Sequence, residues 1–206
     1  MAVASLAALL ANRQVWQGHA APAVDGEPTG WAELDALLPG GGWPQAALSE
    51  ILIPVDGVGE LQLVLPALAR LTRAARPVIV VAPPYRPYAP GWEARGMVMS
   101  AVEIVQASAP KDALWAAEQC LRSGSCAAVL AWPRGADERA LRRLQVAATA
   151  GAALGFVFRD RRHVGQPSPA ALRLEIEVRP APRLHVRKCR GANPPSRPLA
   201  LPTAWR

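Results

Sequence analysis

The stretch 48-LSEILIPVDGVGELQLVLPALARL-71 decides the architecture. Leu48 to Ile53 is an apolar run of strand length, Pro54 to Gly59 carries a proline and two glycines, and Leu61, Val64, Leu65, Leu68 and Leu71 recur at helical spacing. The unit is strand, glycine-containing loop, helix. Downstream, PVIVVAP, AVEIVQ, CAAVLAW and ALGFVFR have buried-strand character. KDALWAAEQCLRSG and ADERALRRLQVAATAG read as helices between them. In the second, Asp137 and Glu138 suit the positive helix start and Gly151 ends it. This alternation predicts an α/β fold: a mostly parallel sheet with right-handed crossovers and helices on both faces, in three layers. After Asp160 the period changes to two in AALRLEIEV and RLHVRKCR, which predicts an antiparallel hairpin extending the sheet at its C-terminal side.

Upstream, Leu34, Leu37 and Leu38 mark a helix that stops at Pro39 and the glycines Gly40 to Gly42. Residues 1–27 read as a short helix (Val3 to Arg13) and a connector, residues 28–192 as one core domain, and residues 193–206 as an extended, proline-rich tail. Trp31, Trp43 and Trp115 fall in patterned elements and are expected in the core or at its rim. Trp16, Trp92 and Trp205 lie in less regular stretches, Trp205 being a candidate partner anchor.

At 206 residues and 51% hydrophobic content the chain can bury a substantial single core. No apolar run approaches the roughly 20 residues that span a bilayer, and no basic n-region precedes the short N-terminal apolar run. Cys120, Cys126 and Cys189 offer neither a disulfide framework nor zinc-ligand spacing. The expectation is a cytoplasmic protein without metal, cofactor or membrane attachment. The net charge of +7 favours an acidic partner or nucleic acid, although an arginine-rich composition also follows from a GC-rich genome.

The run PTGWAELDALLPGGGWPQAALSEILIP resembles the opening segment of bacterial RecA, and YAPGWEARGMVMSAVEIVQASAPKDALWAAEQCLRSGSCAAVLAW and RLHVRKCRGANP follow the order of RecA parts. Within the RecA-like group, GEPTGWAELDALLPGGGWP, ILIPVDGVGELQLVLPALARL and YRPYAP look most like ImuA, an accessory protein of translesion DNA synthesis, with the division inhibitor SulA as the nearest rival. The resemblance covers about residues 28–195 and implies a RecA-like core.

It also shows which chemistry is missing. A phosphate loop needs glycine N–H groups, a lysine and a hydroxyl for magnesium. In Asp56, Gly57, Val58, Gly59, Glu60 and Leu61, an acid takes the lysine position and a hydrocarbon the hydroxyl position. The catalytic glutamate falls in Pro83 and Pro84, and the Walker B aspartate at Trp132. Phosphoryl transfer depends on electrostatic stabilisation that these substitutions remove, so the resemblance implies a degenerate ATPase core and no enzyme. The other reading of the loop is a plain strand-to-helix turn.

Lys188 and Arg190 match two basic positions with which RecA reaches a neighbouring protomer, so Arg187, Lys188 and Arg190 are candidate partner contacts, against a solvated basic strand. Arg159, Arg161, Arg162 and His163 follow the strand ending in Phe158, where RecA has a mobile DNA-binding loop. They are read either as phosphate contacts or as solvated loop charge. By analogy with ImuA, the partners implied are an ImuB-like Y-family protein, an error-prone C-family DNA polymerase and RecA in the SOS response. The alternatives are a SulA-like division inhibitor and a residual ATPase.

Overall fold

The computed structural model describes residues 26–201, so the helix expected at Val3 to Arg13, Trp16 and Trp205 lie outside the described residues. The chain runs α1 (Ala32–Leu37), β1 (Ala47–Ile53), α2 (Glu60–Arg73), β2 (Val78–Val81), α3 (Ala89–Glu93), β3 (Val102–Val105) and α4 (Pro110–Arg122). It continues with β4 (Ala128–Ala131), α5 (Glu138–Ala150), β5 (Leu154–Asp160), β6 (Leu172–Glu177), β7 (Arg183–Cys189) and β8 (Leu199–Ala200). These strands form a single sheet in the order β3-β2-β4-β5-β1-β6-β7-β8. The first six in this order are parallel to one another, whereas the β6–β7 and β7–β8 pairs are antiparallel.

Alternation along the strands sorts side chains into two cores, one on each face. Ile51 and Ile53 of β1 join α2 residues such as Leu63, Leu68 and Leu71 on one side. Leu48 joins Leu121 of α4 and Leu141 and Leu144 of α5 on the other. This is the three-layer α/β arrangement the pattern predicts. Trp43 is fully buried and meets Phe156 edge-on, with ring centroids 5.0 Å apart and planes at 87°. Truncating such a core aromatic to alanine costs about 3–5 kcal/mol.

The segment before β1 is fastened over α2. Glu27 and Trp43 exchange backbone hydrogen bonds of 2.9 and 2.7 Å, and Arg70 of α2 donates to Glu27 Oε1 at 3.0 Å. The approach is so close that a Cβ on Gly42 would lie 2.2 Å from the Glu27 carbonyl oxygen. Thr29 donates its N–H to Asp35 Oδ1 at 2.8 Å, which fixes the start of α1. The N-terminus of α5 is capped by Asp137, whose side chain accepts from the Ala140 N–H at 2.8 Å.

Three expectations change. AVEIVQ was expected as a buried strand, but β3 is an outer strand of the sheet and none of its four residues is fully buried, since no element lies beyond it. Residues 193–201 of the expected tail are not free: Leu199–Ala200 adds β8 to the sheet and Leu201 packs into the core at 8% exposure. Trp115 stands 61% exposed on α4, because Ala117 and Leu121 occupy the inward stripe of that helix.

Candidate functional site

A doubly wound sheet presents its ligand site beyond the carboxyl ends of its strands, where loops and helix N-termini converge. At that end, β1 gives way to the loop Pro54 to Gly59. Gly57 and Gly59 take φ values of +84° and +92°, which glycine alone adopts without strain. Glu60 then opens α2 and is only 4% exposed. Its Oε1 accepts the Gly57 N–H at 3.0 Å, while Oε2 is buried without a hydrogen-bond partner. Loop N–H groups at a helix start would ordinarily meet a phosphate. Here the chain's own carboxylate holds one of them. Leu61 lies half-buried against the core under α2.

A cleft of about 410 Å³ opens beside this loop at the ends of β1, β4 and β5. Trp132 and Phe158 line it, stacked with centroids 4.7 Å apart and planes 20° from parallel. An indole thus packs just beyond the end of β4. Pro54, Asp56, Pro84, Pro133, Arg134 and Arg162 complete much of the wall. Pro83 and Pro84 also line an adjoining hollow of about 210 Å³. Val55, Tyr85 and Tyr88, in the loops after β1 and β2, are 60%, 69% and 72% exposed. Among the described residues, no cluster of His, Cys, Asp or Glu is arranged to hold a metal ion. Burial beside Cys120 lifts the Cys126 thiol to about 11, which keeps it protonated and unreactive.

On the α4–α5 face of the sheet, a charged seam crosses the central strands. Glu50 of β1, 0% exposed, receives Arg159 of β5 on Oε1 at 2.6 Å and Arg173 of β6 on Oε2 at 2.6 Å. Arg159 donates further to the Ala136 carbonyl at 2.7 Å. Arg173 donates to the carbonyls of His163, Val164 and Gln166 at 3.0, 3.2 and 3.1 Å. A second carboxylate, Glu175 of β6, meets Arg187 at 2.6 Å and Arg161 at 3.7 Å.

This seam redistributes the residues expected to make contacts. Arg159, expected in an exposed basic cluster, is 6% exposed and committed to Glu50. It leaves the set of candidate contacts because its partner lies inside the sheet. Arg161 and Arg162 remain at the surface, with side chains 51% and 72% exposed. Of the expected basic edge, Arg187 pairs with Glu175, Lys188 Nζ donates to the Ser168 carbonyl at 2.7 Å, and Arg190 reaches the Pro169 carbonyl at 3.4 Å. Burial, with Arg190 and Arg173 nearby, holds the Lys188 amine below its ordinary value. The loop after β5, where RecA has a mobile loop, is held along residues 163–169 by Arg173, Lys188 and Arg190.

Sequence reasoning missed the Glu50 seam, although its signal was present: a glutamate inside ALSEILI cannot be buried without a cation. The partners could not be read, because they arrive from strands more than a hundred residues away.

With the fold and the site in place, comparison with known proteins adds the following. The family model described as cell division inhibitor SulA matches residues 46–155, just over half of the chain. Among solved structures, the chain is similar to that described as the crystal structure of SulA from Pseudomonas aeruginosa. The identity is 28% over 56% of this chain and 98% of that one, with a TM-score of 0.47. No curated protein matches the chain.

Proposed function

The chain belongs to the SulA family, described as cell division inhibitors, and on that footing we propose that it is a non-catalytic protein of the SOS response that works by contact with other proteins. The observation that carries this reading is the Glu60 carboxylate bound to the Gly57 N–H, beside a cleft where Trp132 replaces an acid. The carboxylate would repel a terminal phosphate, and the indole offers no ligand to its magnesium. No helix among the described residues is long and apolar enough to cross a membrane.

Within that class, the reading is an ImuA-like accessory protein of translesion synthesis, engaging an ImuB-like protein, an error-prone C-family polymerase and RecA. It is supported by the likeness to ImuA of GEPTGWAELDALLPGGGWP, residues 26–44, which lies wholly before the stretch matched to the SulA family. That segment has a defined role in the fold, through Glu27, Thr29 and Trp43, and β6 to β8 add sheet after the matched stretch.

Co-expression of the tagged chain with an ImuB-like protein tests it, and a stable complex is expected. The second reading, a division inhibitor, is favoured by the family match itself. Filamentation of cells on overexpression, with no complex with the ImuB-like protein, would select that reading instead.

A further inference from the structure

The positive charge of the chain is gathered in one segment. From Arg159 to Arg190, the end of β5 through β7, there are nine Lys and Arg against three Asp and Glu, whereas the rest of the chain has fourteen against thirteen. A GC-rich genome raises arginine throughout a chain and does not remove acids from one stretch of it, so it does not account for this asymmetry. Glu50 reaches in from β1 and is claimed by Arg159 and Arg173. Glu175 is itself buried and meets Arg187 and Arg161. At the surface this leaves Arg161, Arg162, Arg179, Arg183, Arg187 and Arg190, all exposed, against exposed Asp160 and half-buried Glu177.

The register of the hairpin puts much of this charge on a single face. Glu177 stands opposite Arg183, Glu175 opposite His185 and Arg173 opposite Lys188, and directly opposed residues share a face. Leu174, Ile176, Leu184 and Val186 fill the core on the other side. Lys188 and Arg190 reach the consecutive carbonyls of Ser168 and Pro169, so two cationic heads stand together on the loop beside the face. Arg179 and Arg190 pair with no carboxylate among the described residues.

The side chains present also discriminate between occupants. Protein interfaces are organised around apolar and aromatic anchors, but between residues 159 and 190 the only large exposed hydrophobic residue is Val164. The same stretch has no Phe, Trp or Tyr, and so lacks the stacking platforms by which single strands are held. Interfaces with duplex nucleic acid are polar and strongly positive, and they draw much of their affinity from phosphates.

We propose that the charged face of the β6–β7 hairpin, with Arg190 and the start of the loop after β5, holds the phosphate backbone of duplex nucleic acid without reading its bases. This goes beyond the protein-contact reading and does not rest on it.

Fluorescence anisotropy with a labelled duplex of mixed sequence, about 30 base pairs long, tests it. The proteins are the wild-type chain, Arg183→Gln/Arg190→Gln, and Arg86→Gln/Arg139→Gln as a control that removes the same charge from exposed arginines elsewhere. A single-stranded oligonucleotide and poly-glutamate are the other probes. All four side chains are exposed, so thermal midpoints should match wild type. Arg190→Gln alone, which gives up one carbonyl contact at 3.4 Å, serves if the first pair does not fold. The expected result is salt-dependent binding of the duplex, with the face pair losing about tenfold at low salt and lowering the salt slope by about two. The control should lose less than about twofold. No duplex binding by the wild-type chain, equal losses in the two pairs, or tighter binding of the single strand or of poly-glutamate would each overturn the proposal. None of these outcomes bears on the protein-contact reading, which co-expression with the ImuB-like protein tests separately.

Discussion

Glu50 and Glu60 are both removed from water, at 0% and 4% exposure, yet the two regions around them solve the problem of a buried acid in opposite ways. In the seam between β5, β1 and β6, two guanidiniums meet Glu50, and backbone carbonyls take up part of their remaining donor capacity. At the first residue of α2, Glu60 accepts one N–H, from Gly57, on Oε1 and keeps Oε2 without a partner. Desolvation of a carboxylate is offset only by good partners. The seam thus ties strands and loop together, whereas the start of α2 keeps a poorly satisfied acid that holds a single loop N–H.

The comparison breaks most easily at Glu50. Glu50→Ala leaves Arg159 and Arg173 buried without a counter-charge and should lower stability by about 3–5 kcal/mol in urea unfolding. A loss under about 1 kcal/mol would mean the seam is not the structural half of the pair. Arg173→Ala should cost less, about 1.5–3 kcal/mol, and should speed amide exchange in residues 163–166, where it holds the carbonyls of His163, Val164 and Gln166. Unchanged exchange there would detach the loop from the seam.

Glu60→Ala should shift stability by no more than about 1 kcal/mol, because it removes one hydrogen bond and one unsatisfied oxygen together. It also sharpens the comparison. If the acid blocks by occupation, inorganic phosphate should bind weakly to Glu60→Ala and not to Glu60→Gln, which keeps an acceptor for the Gly57 N–H. Equal gains in both variants would favour simple repulsion.

The smallest effect is expected from Glu177, whose carboxyl is held below its ordinary range chiefly by the hydrogen bond from His185. A depressed carboxyl contributes stability above its unfolded value and loses it as pH falls through the folded one. The gap between wild type and Glu177→Gln should thus be present at neutral pH and close on acidification below the ordinary carboxylate range. A gap that persists there would contradict the assignment.

Where structure depends on local pattern, the sequence was a sufficient guide. The strand, loop and helix of residues 48–71, the alternation that follows and the period-two hairpin all appear as read. Periodicity reports which side of an element is apolar, but not how many neighbours it will have. Hence β3 was read as buried, and Trp115 was placed inward although Ala117 and Leu121 fill that side of α4. The acid, hydrocarbon and indole at Glu60, Leu61 and Trp132 were legible as residue types that suit a phosphate site poorly. The fate of Arg159, Lys188 and Arg190 was not, because each is decided by an acceptor supplied from elsewhere in the fold. A basic run in sequence does not distinguish an arginine facing solvent from one facing a buried carboxylate.

The central proposal is that Glu60 and Trp132 leave the loop between β1 and α2 without nucleotide chemistry and that the protein acts by contact alone. Calorimetric titration of the purified wild-type chain with magnesium-ATP tests it most directly. The account predicts no heat of binding and no hydrolysis. Saturable binding with phosphate release, abolished by substitution in the Gly57 to Glu60 turn, would contradict it.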